Sequence, residues 1–324
     1  MTDPVDRSTN LPTPLFDEPF LRKLERLAIV SRRAMAGQMQ GERRSPKRGQ
    51  SVEFADFRAY APGDDIRRID WNAYARLERF FLKLFVEEED LTIHLLVDAS
   101  RSMDWGEPNK LHYALRTAGA LGYIALAGLD RVTVAALGAG DGKNAGVGYL
   151  APLRGKRQAF TLFQFLSNVR PGGTVHLDAV LTRYAARSHQ PGPLIVLSDL
   201  FQAGTHSSDL PTFQSSGLTA LAARGFEITL LHVLSPDELD PAGAGWLGDG
   251  PAADLRLLDS ETGTGVEVTA DYDLLQRYRE GLAAWQESIR RFCGARGIQY
   301  VPVDTSLPVE DLLFAWLRQR GVLR

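Results

Sequence analysis

Cysteine is scarce in this sequence, and long hydrophobic segments are absent. Its 324 residues include one cysteine, Cys293, which excludes an intrachain disulfide. No apolar run approaches the ~18–20 residues that a membrane-spanning helix needs. Residues 1–20 are polar and proline-rich, and they lack the basic start and apolar centre of a signal peptide. We therefore expect a cytoplasmic protein.

Motifs of several common enzyme classes are also missing. The sequence has no G-x-S-x-G string, so a nucleophile elbow is not expected. Gly142 and Lys143 are followed by Asn144, where a P-loop needs Ser or Thr. The six histidines show no zinc-ligand spacing. We therefore predict no catalytic residue and no organic-cofactor site, and expect a protein that is not an enzyme.

Positive charge is concentrated in one segment. Residues 22–48 contain nine Lys and Arg and two Glu, a net charge of +7, while the whole chain carries −3 and the remainder therefore −10. Such a segment suits an acidic protein surface or anionic lipid, or it is simply a solvated helix face and loop. No aromatic residue lies between Arg22 and Arg48 to stack on bases, so no nucleic-acid partner is expected.

The hydrophobic pattern divides the chain into three parts. Residues 1–19 are expected to form a flexible leader. Residues 20–90 form a smaller N-terminal region, which begins with a helix predicted over Phe20–Met39 from apolar residues at helical spacing. In residues 91–324, apolar strands alternate with helices, which predicts an α/β domain with a doubly wound, mostly parallel, Rossmann-like sheet. An insert near residues 236–270 is predicted to contain a β-hairpin.

Three oxygen-bearing side chains lie at the end of the first apolar strand of that domain. The strand LTIHLLVDAS contains Asp98, and Ser100 and Ser102 alternate with it in the following loop. Open α/β sheets bind ligands outside the carboxyl ends of their strands. Carboxylate and hydroxyl oxygens suit Mg²⁺ or another divalent cation. These residues therefore predict a metal site at this edge of the sheet.

Two later residues could complete the predicted site. Thr174 follows a Gly-Gly pair, and Asp199 ends the apolar strand PLIVLSD. Both residues are expected after strands or before helices, so they could reach the same crevice at the carboxyl ends of the strands. The alternative is that Asp98 and Ser100 only cap the helix that follows them.

The string DASRS at 98–102 resembles the Asp-x-Ser-x-Ser motif of von Willebrand factor type A domains. The resemblance implies a metal-ion-dependent adhesion site in which Ser100 and Ser102 ligate the ion directly. It implies that Thr174 ligates directly or through water, and that Asp98 and Asp199 act mostly through water. An open coordination position would accept an acidic side chain from a protein partner.

A second resemblance lies before the α/β domain. Glu53-Phe54, Arg58, Tyr60, the turn 62–65 and Ile69-Asp70-Trp71 resemble the signature of the bacterial family named domain of unknown function 58. In that family the block precedes a von Willebrand A-like domain, and its members are often encoded beside MoxR-type AAA+ ATPases. Physically, the block is either an ion-pair network around the turn with Trp71 and Tyr60 packed beneath it, or a surface for docking a partner. The charged residues of that network would be Asp64, Asp65, Arg67, Arg68 and Asp70.

Together these features predict a metal-dependent protein-interaction module, with a MoxR-type AAA+ ATPase as a candidate partner in the assembly or maturation of other proteins. A metal-assisted hydrolase is the first alternative. Recruitment to a membrane surface through residues 22–48 is the second, although membrane contact is not expected.

Overall fold

The structure is a computed structural model. It describes residues 16–31, 52–61, 64, 66, 69–87, 91–139, 146–173, 175–188, 190–201, 212–243, 252–260 and 263–324. The chain forms two compact units. The larger contains residues 1–31 and 92–324, and the smaller contains residues 32–91.

Helices and strands alternate through most of the described chain. The strands are β1 Val52–Ala59, β2 Phe81–Glu87, β3 Thr92–Asp98, β4 Arg131–Ala139, β5 Gly146–Arg154, β6 Pro193–Ser198, β7 Glu227–Leu234, β8 Ala253–Leu258, β9 Gly265–Ala270 and β10 Gln299–Asp304. The helices are α1 Glu18–Leu24, α2 Trp71–Leu77, α3 Lys110–Ala127, α4 Ala159–Ser167, α5 Leu177–Arg187, α6 Ser216–Ala223, α7 Pro236–Leu239, α8 Tyr272–Gly294 and α9 Val309–Asp311, which continues as a π-helical turn over Leu312–Leu317.

The larger unit is built on a six-stranded sheet with the order β10-β7-β6-β3-β4-β5. All neighbouring pairs are parallel except β4 and β5, which are antiparallel. After β3, the chain forms β4 on one side of β3 and later forms β6 on the other side of β3. The strand order therefore reverses between β3 and β6, and the predicted doubly wound α/β fold is confirmed.

Apolar side chains bury both faces of this sheet. On one face, Leu96 and its neighbours in β4, β6 and β7 pack against α5, α6 and α8. Helix α3 contacts β3 and β4, and most of its eighteen residues are buried. All seven residues of β3 are buried, as expected for a parallel strand covered on both sides. Within the described residues, no helix combines the length and apolarity needed to cross a bilayer.

The segment before the smaller unit differs from its prediction. Helix α1 ends at Leu24, and the chain then forms an isolated antiparallel bridge between Ile29 and Leu323. The predicted helix over Phe20–Met39 is therefore wrong for residues 25–31, while residues 32–40 lie outside the described residues. Phe16, assigned to a flexible leader, is 7% exposed and packs on Phe20 and Phe163. Residues 16–31 belong to the α/β unit because their apolar side chains are buried there.

The insert contains the predicted hairpin, in which β8 and β9 pair antiparallel from Ala253–Ala270 to Leu258–Gly265. In the smaller unit, β1 and β2 also form an antiparallel pair, and β1 is irregular between Phe54 and Asp56. Helix α2 lies between these two strands in the chain and begins at the N-cap residue Asp70.

One buried histidine in β3 is held neutral by its neighbours. The Nε2 atom of His94 lies 3.1 Å from the carbonyl oxygen of Gln190, which can only accept, so Nε2 carries the hydrogen. The Nδ1 atom then accepts a hydrogen bond from the hydroxyl of Tyr184 at 2.7 Å. Burial lowers the pKa of His94 to about 4.

This arrangement predicts acid sensitivity. Because the folded pKa of His94, about 4, lies below the unfolded value of ~6.5, its stabilising contribution is present above that value and is lost as the pH falls toward 4. The loss amounts to about 3 kcal/mol at ~1.4 kcal/mol per pKa unit. Urea unfolding of the wild type and of His94→Gln, from about pH 7 to about pH 4.5, measures it. The variant should show the shallower pH dependence, and identical slopes would contradict the assignment.

Candidate functional site

Two of the predicted metal residues, Asp98 and Asp199, lie where β3 and β6 end. Asp98 is the last residue of β3, and Ser198 and Asp199 close β6 beside it. This is the point at which the strand order of the sheet reverses. Doubly wound sheets bind their ligands at such switch points, outside the carboxyl ends of the strands. The fold therefore brings Asp98 and Asp199 together, as the sequence predicted.

Asp98 joins the two strand ends. One carboxylate oxygen accepts a hydrogen bond from the backbone N–H of Ser100 at 2.9 Å, and the other accepts from the hydroxyl of Ser198 at 2.6 Å. The side chain is buried. Burial and the negative charge of Asp199 raise the pKa of Asp98 to about 6. Asp98 thus fixes the start of the loop that carries the two serines.

The serine pair fits the oxygen geometry of a small divalent cation. The hydroxyl oxygens of Ser100 and Ser102 are 3.0 Å apart. An octahedral Mg²⁺ shell with ligands at ~2.0–2.1 Å places neighbouring oxygens ~2.9 Å apart. Ser100 is buried, whereas Ser102 is partly exposed. The two hydroxyls therefore suit adjacent positions of one shell.

Helix capping does not explain these residues. The loop after Asp98 enters a short 3₁₀ turn, Arg101–Met103, to which the Ser100 hydroxyl makes no capping bond. The next α-helix begins only at Lys110, and its N-cap is Asn109, whose side chain accepts from the N–H of His112 at 3.0 Å. The alternative that Asp98 and Ser100 cap the following helix is therefore wrong.

Thr174 lies outside the described residues, but its neighbours in sequence approach the serine loop. The backbone N–H of Gly172 donates to the carbonyl of Ala99 at 2.8 Å. On the other side, Val175 packs at Gly138, which has a φ of +77° and where an added Cβ would lie 2.0 Å from the Val175 side chain. Only glycine fits this position. The predicted role of Thr174 stays a prediction.

Asp199 has a partner that the sequence analysis missed. Its carboxylate is fully buried, and one oxygen lies 2.8 Å from the ammonium of Lys110. The other oxygen accepts from the backbone N–H of Phe201 at 3.1 Å. In addition, the neutral His232 donates from Nε2 to the Asp199 carbonyl at 3.1 Å. Burial lowers the pKa of His232 to about 3, so the imidazole of His232 is uncharged when it donates to Asp199.

Lys110 is itself fully buried and bridges two carboxylates. Its ammonium lies 2.5 Å from the carboxylate of Glu238, whose other oxygen accepts from the N–H of Ser235. Burial lowers the pKa of Lys110, but the charges of Asp199 and Glu238 outweigh this effect and raise it above its usual value. A basic residue in the first turn of a helix opposes the helix dipole. The position of Lys110 in the first turn of α3 was the one feature of the sequence that indicated nearby carboxylates.

The charges of the site are compatible with a divalent cation. Three carboxylates, those of Asp98, Asp199 and Glu238, face one ammonium, that of Lys110, which leaves two formal negative charges. Within the described residues, no group of three or more His, Cys, Asp or Glu side chains is arranged to hold a metal ion. A cation here would therefore depend on the serine hydroxyls, with Asp98 behind them.

Residues 56–288 match a family described as protein of unknown function DUF58. The chain belongs to this family. The matched range includes the N-terminal block from Arg58 onward and all five predicted metal residues. The uncharacterized protein Rv1480 of Mycobacterium tuberculosis is 26% identical to this DUF58 protein over 317 residues, covering 95% of this chain and 92% of the relative. The uncharacterized protein Mb1516 of Mycobacterium bovis matches to the same extent.

Solved structures show distant similarity. The conserved hypothetical protein BatB from Bacteroides thetaiotaomicron aligns at 14% identity and a TM-score of 0.36, covering 68% of this chain and 97% of BatB. A von Willebrand factor type A protein from Catenulispora acidiphila aligns at 14% identity and a TM-score of 0.33, covering 59% and 41%. The fold assignment therefore depends on the strand order of the sheet itself.

The DUF58 signature block lies in the smaller unit. Asp64 accepts hydrogen bonds from the backbone N–H of Ala61 at 2.8 Å and from the guanidinium of Arg58 at 2.7 Å. Asp70 accepts from the N–H groups of Asn72 and Ala73 at the start of α2. Carboxylates of the block thus hold the turn and the helix in place. The other predicted members of the ion-pair network, Asp65, Arg67 and Arg68, lie outside the described residues.

Trp71 is not packed beneath the turn, contrary to the structural alternative. Its side chain is 61% exposed. Among the residues of the smaller unit whose burial is described, only Ile69, Asp70 and Leu82 are buried. Three exposed aromatic residues whose rings contact one another form what we name the aromatic surface: Trp71, Tyr74 and Phe80. Within it, the rings of Tyr74 and Phe80 stack at 4.4 Å.

We expect Lys110→Met to destabilise the larger unit strongly, because it leaves buried carboxylates without their counter-charge. Breaking a buried ion pair from one side typically costs ~3–5 kcal/mol. Lys156→Met is the matched control, since Lys156 pairs with Glu25 at the surface and its side chain is 58% exposed. Urea unfolding followed by circular dichroism measures both variants. If both variants lost the same small free energy of unfolding, the ion pairs of Lys110 would contribute no more than a surface ion pair.

Proposed function

We propose that this DUF58 protein is a cytoplasmic protein-interaction module that recognises an acidic side chain of its partner through a divalent cation. Asp98, Ser100 and Ser102 would hold the cation, with Thr174 and Asp199 completing its surroundings. When bound, a divalent ion such as Mg²⁺ supplies a positive centre for the partner's carboxylate. The observation that carries the proposal is the Ser100–Ser102 hydroxyl pair, held by Asp98 at the switch point of the sheet.

The protein's own residues favour binding over catalysis. Lys110 donates to two carboxylates, so its nitrogen is not available as a nucleophile or base. His232 uses both ring nitrogens, one toward Asp199 and one toward Tyr300. The groups with chemical reactivity near the site are thus committed to holding it together. This supports the interaction module over the metal-assisted hydrolase.

Exposed aromatic residues support a protein partner. Trp105 follows Ser102 by three residues and is 49% exposed, and Phe201 follows Asp199 by two residues and is 40% exposed. The aromatic surface of the smaller unit adds Trp71. Aromatic side chains are enriched where proteins contact one another, and exposed apolar patches often mark such sites. A MoxR-type AAA+ ATPase is the partner that we propose from the family resemblance.

The cation is tested first by itself. Ser102→Ala removes one hydroxyl of the pair, and Asp98→Asn keeps the shape of the side chain while removing its charge. We expect each to weaken Mg²⁺ binding by about 10–100-fold, the usual effect of changing groups around a metal. Isothermal titration calorimetry with Mg²⁺ measures this. Ser306→Ala is the matched control, because Ser306 is an exposed serine just beyond the end of β10 at the same edge of the sheet.

The metal proposal fails if the wild type binds neither Mg²⁺ nor Mn²⁺. It also fails if Ser102→Ala and Ser306→Ala bind the ion equally well. Circular dichroism of each variant separates loss of the site from loss of the fold. Asp98→Ala is a less informative change, since it leaves the hydroxyl of Ser198 and the N–H of Ser100 without their buried acceptor.

The partner is tested with a purified MoxR-type ATPase from the same genome. We expect Ser102→Ala to reduce its retention on the immobilised chain, because the cation would bridge the two proteins. This variant is more decisive than EDTA, which also removes Mg²⁺ from the nucleotide of an ATPase. Retention of the ATPase by Ser102→Ala at wild-type affinity, with Mg²⁺ binding lost, would contradict metal-dependent recognition.

Trp71→Ser extends the same retention assay to the smaller unit. Since Trp71 is exposed, the fold should remain and Mg²⁺ affinity should not change. A lower retention would support a partner contact at the aromatic surface. Unchanged retention would remove that surface from the proposal.

A further inference from the structure

The larger unit has a concave site at the opposite edge of its sheet. A cavity of about 330 Å³ lies at the amino ends of β3 and β4, against the last turn of α5. Thr92, at the start of β3, lines it, whereas Asp98 ends the same strand. At ~3.3 Å per residue, the two ends are about 20 Å apart. The cavity is therefore distinct from the proposed cation site.

The lining of the cavity includes a cationic side chain. Arg187 lines it, and no Asp or Glu is among its lining residues. Arg131 also lines it but has a contact of its own. The guanidinium of Arg187 lies over the ring of Tyr149, 5.7 Å from the ring centre, and forms no ion pair with any described residue. Its charge and its donors are thus available to a ligand. A guanidinium presents its N–H groups as a planar fork that matches carboxylate and phosphate oxygens.

The lining also includes aromatic and uncharged side chains. The rings of Tyr149 and Tyr184 lie 6.5 Å apart and nearly parallel, at 16°. The hydroxyl of Tyr184 donates to His94, whose other nitrogen donates to the carbonyl of Gln190. Because His94 is uncharged, it does not add to the charge of Arg187. The tyrosine rings suit a flat, uncharged group.

Hydrogen bonds hold the backbone beside the cavity. The carbonyl of Gln190 accepts from Nε2 of His94 at 3.1 Å. Gly192 lies close to β3, because an added Cβ there would lie 2.4 Å from the carbonyl oxygen of Thr92. The carbonyl of Gly192 in turn accepts from the N–H of Glu227 at 3.1 Å. Gln190 and Gly192 are thus both attached to the sheet.

We propose that this cavity binds a small organic anion whose acidic group contacts Arg187 and whose flat apolar body lies against Tyr149 and Tyr184. Its volume is at the lower end of the ~300–1,000 Å³ typical of ligand pockets, so the ligand is small. The acidic group is a phosphate or a carboxylate, since both match a guanidinium. The inference is independent of the proposed cation site.

The test uses the full chain with phenyl phosphate and benzoate as probes and benzyl alcohol as the neutral control. We expect at least one anion to bind in isothermal titration calorimetry, and benzyl alcohol to bind at least about tenfold more weakly, since hydrogen bonds to charged groups contribute ~1.5–3 kcal/mol. Tighter binding of phenyl phosphate supports a phosphorylated ligand. Tighter binding of benzoate supports a carboxylate.

Two variants locate the binding. Arg187→Gln should weaken the anion by about tenfold or more, while Arg183→Gln should leave it unchanged. Arg183 lies one turn earlier on α5, is exposed and does not line the cavity, so it is the matched control. The proposal is overturned if neither anion binds, if benzyl alcohol binds equally well, or if both variants behave alike. It is also overturned if Ser102→Ala abolishes anion binding, which would place the anion at the cation site instead.

Discussion

The buried ion pair between Lys110 and Asp199 is the interaction on which the carboxyl edge of the sheet depends. It connects the first turn of α3 to the end of β6, and through Glu238 it reaches the short helix after β7. Without the ammonium, Asp98 and Asp199 would be two neighbouring buried carboxylates, a costly arrangement. The lysine therefore allows acidic residues to collect at the switch point while the fold remains stable. It also limits how much negative charge a bound cation would meet.

That limit bears on what the site can do. The carboxylate of Asp199 accepts hydrogen bonds from the ammonium of Lys110 and the N–H of Phe201. The two oxygens of Asp98 accept from the N–H of Ser100 and the hydroxyl of Ser198. The groups left to face an entering ion are the hydroxyls of Ser100 and Ser102, which are neutral. Neutral ligands leave more of the ion's charge uncompensated than carboxylates do, and a carboxylate from another molecule would then be attracted to it. Under the proposed function, the arrangement that stabilises the edge of the sheet also creates the need for an acidic partner.

The sequence predicted the sheet well and its surroundings less well. Continuous apolar strands such as β3 and β6 indicate a parallel sheet buried on both faces, and the strand ends then bring Asp98 and Asp199 together. The leucines of residues 21–27 have helical spacing, but Ile29 pairs with Leu323, and pairing over such a distance leaves no local pattern. Lys110 was missed because its partners lie 89 and 128 positions away. Packing of Trp71 beneath the turn was one of two interpretations of the signature block, and the exposure of its side chain rules that interpretation out for this residue.

The two buried histidines show how polar groups are accommodated inside this sheet. His94 and His232 each donate from Nε2 to a carbonyl and accept at Nδ1 from a tyrosine hydroxyl, so each is satisfied while neutral. Because both rings use their nitrogens internally, neither is left to bind a ligand. Under the two proposals, the binding groups lie at opposite ends of β3, where Ser102 is close to the carboxylate of Asp98 and Arg187 lines a cavity without carboxylates. The proposed cation and the proposed anion would then bind to one sheet without competing.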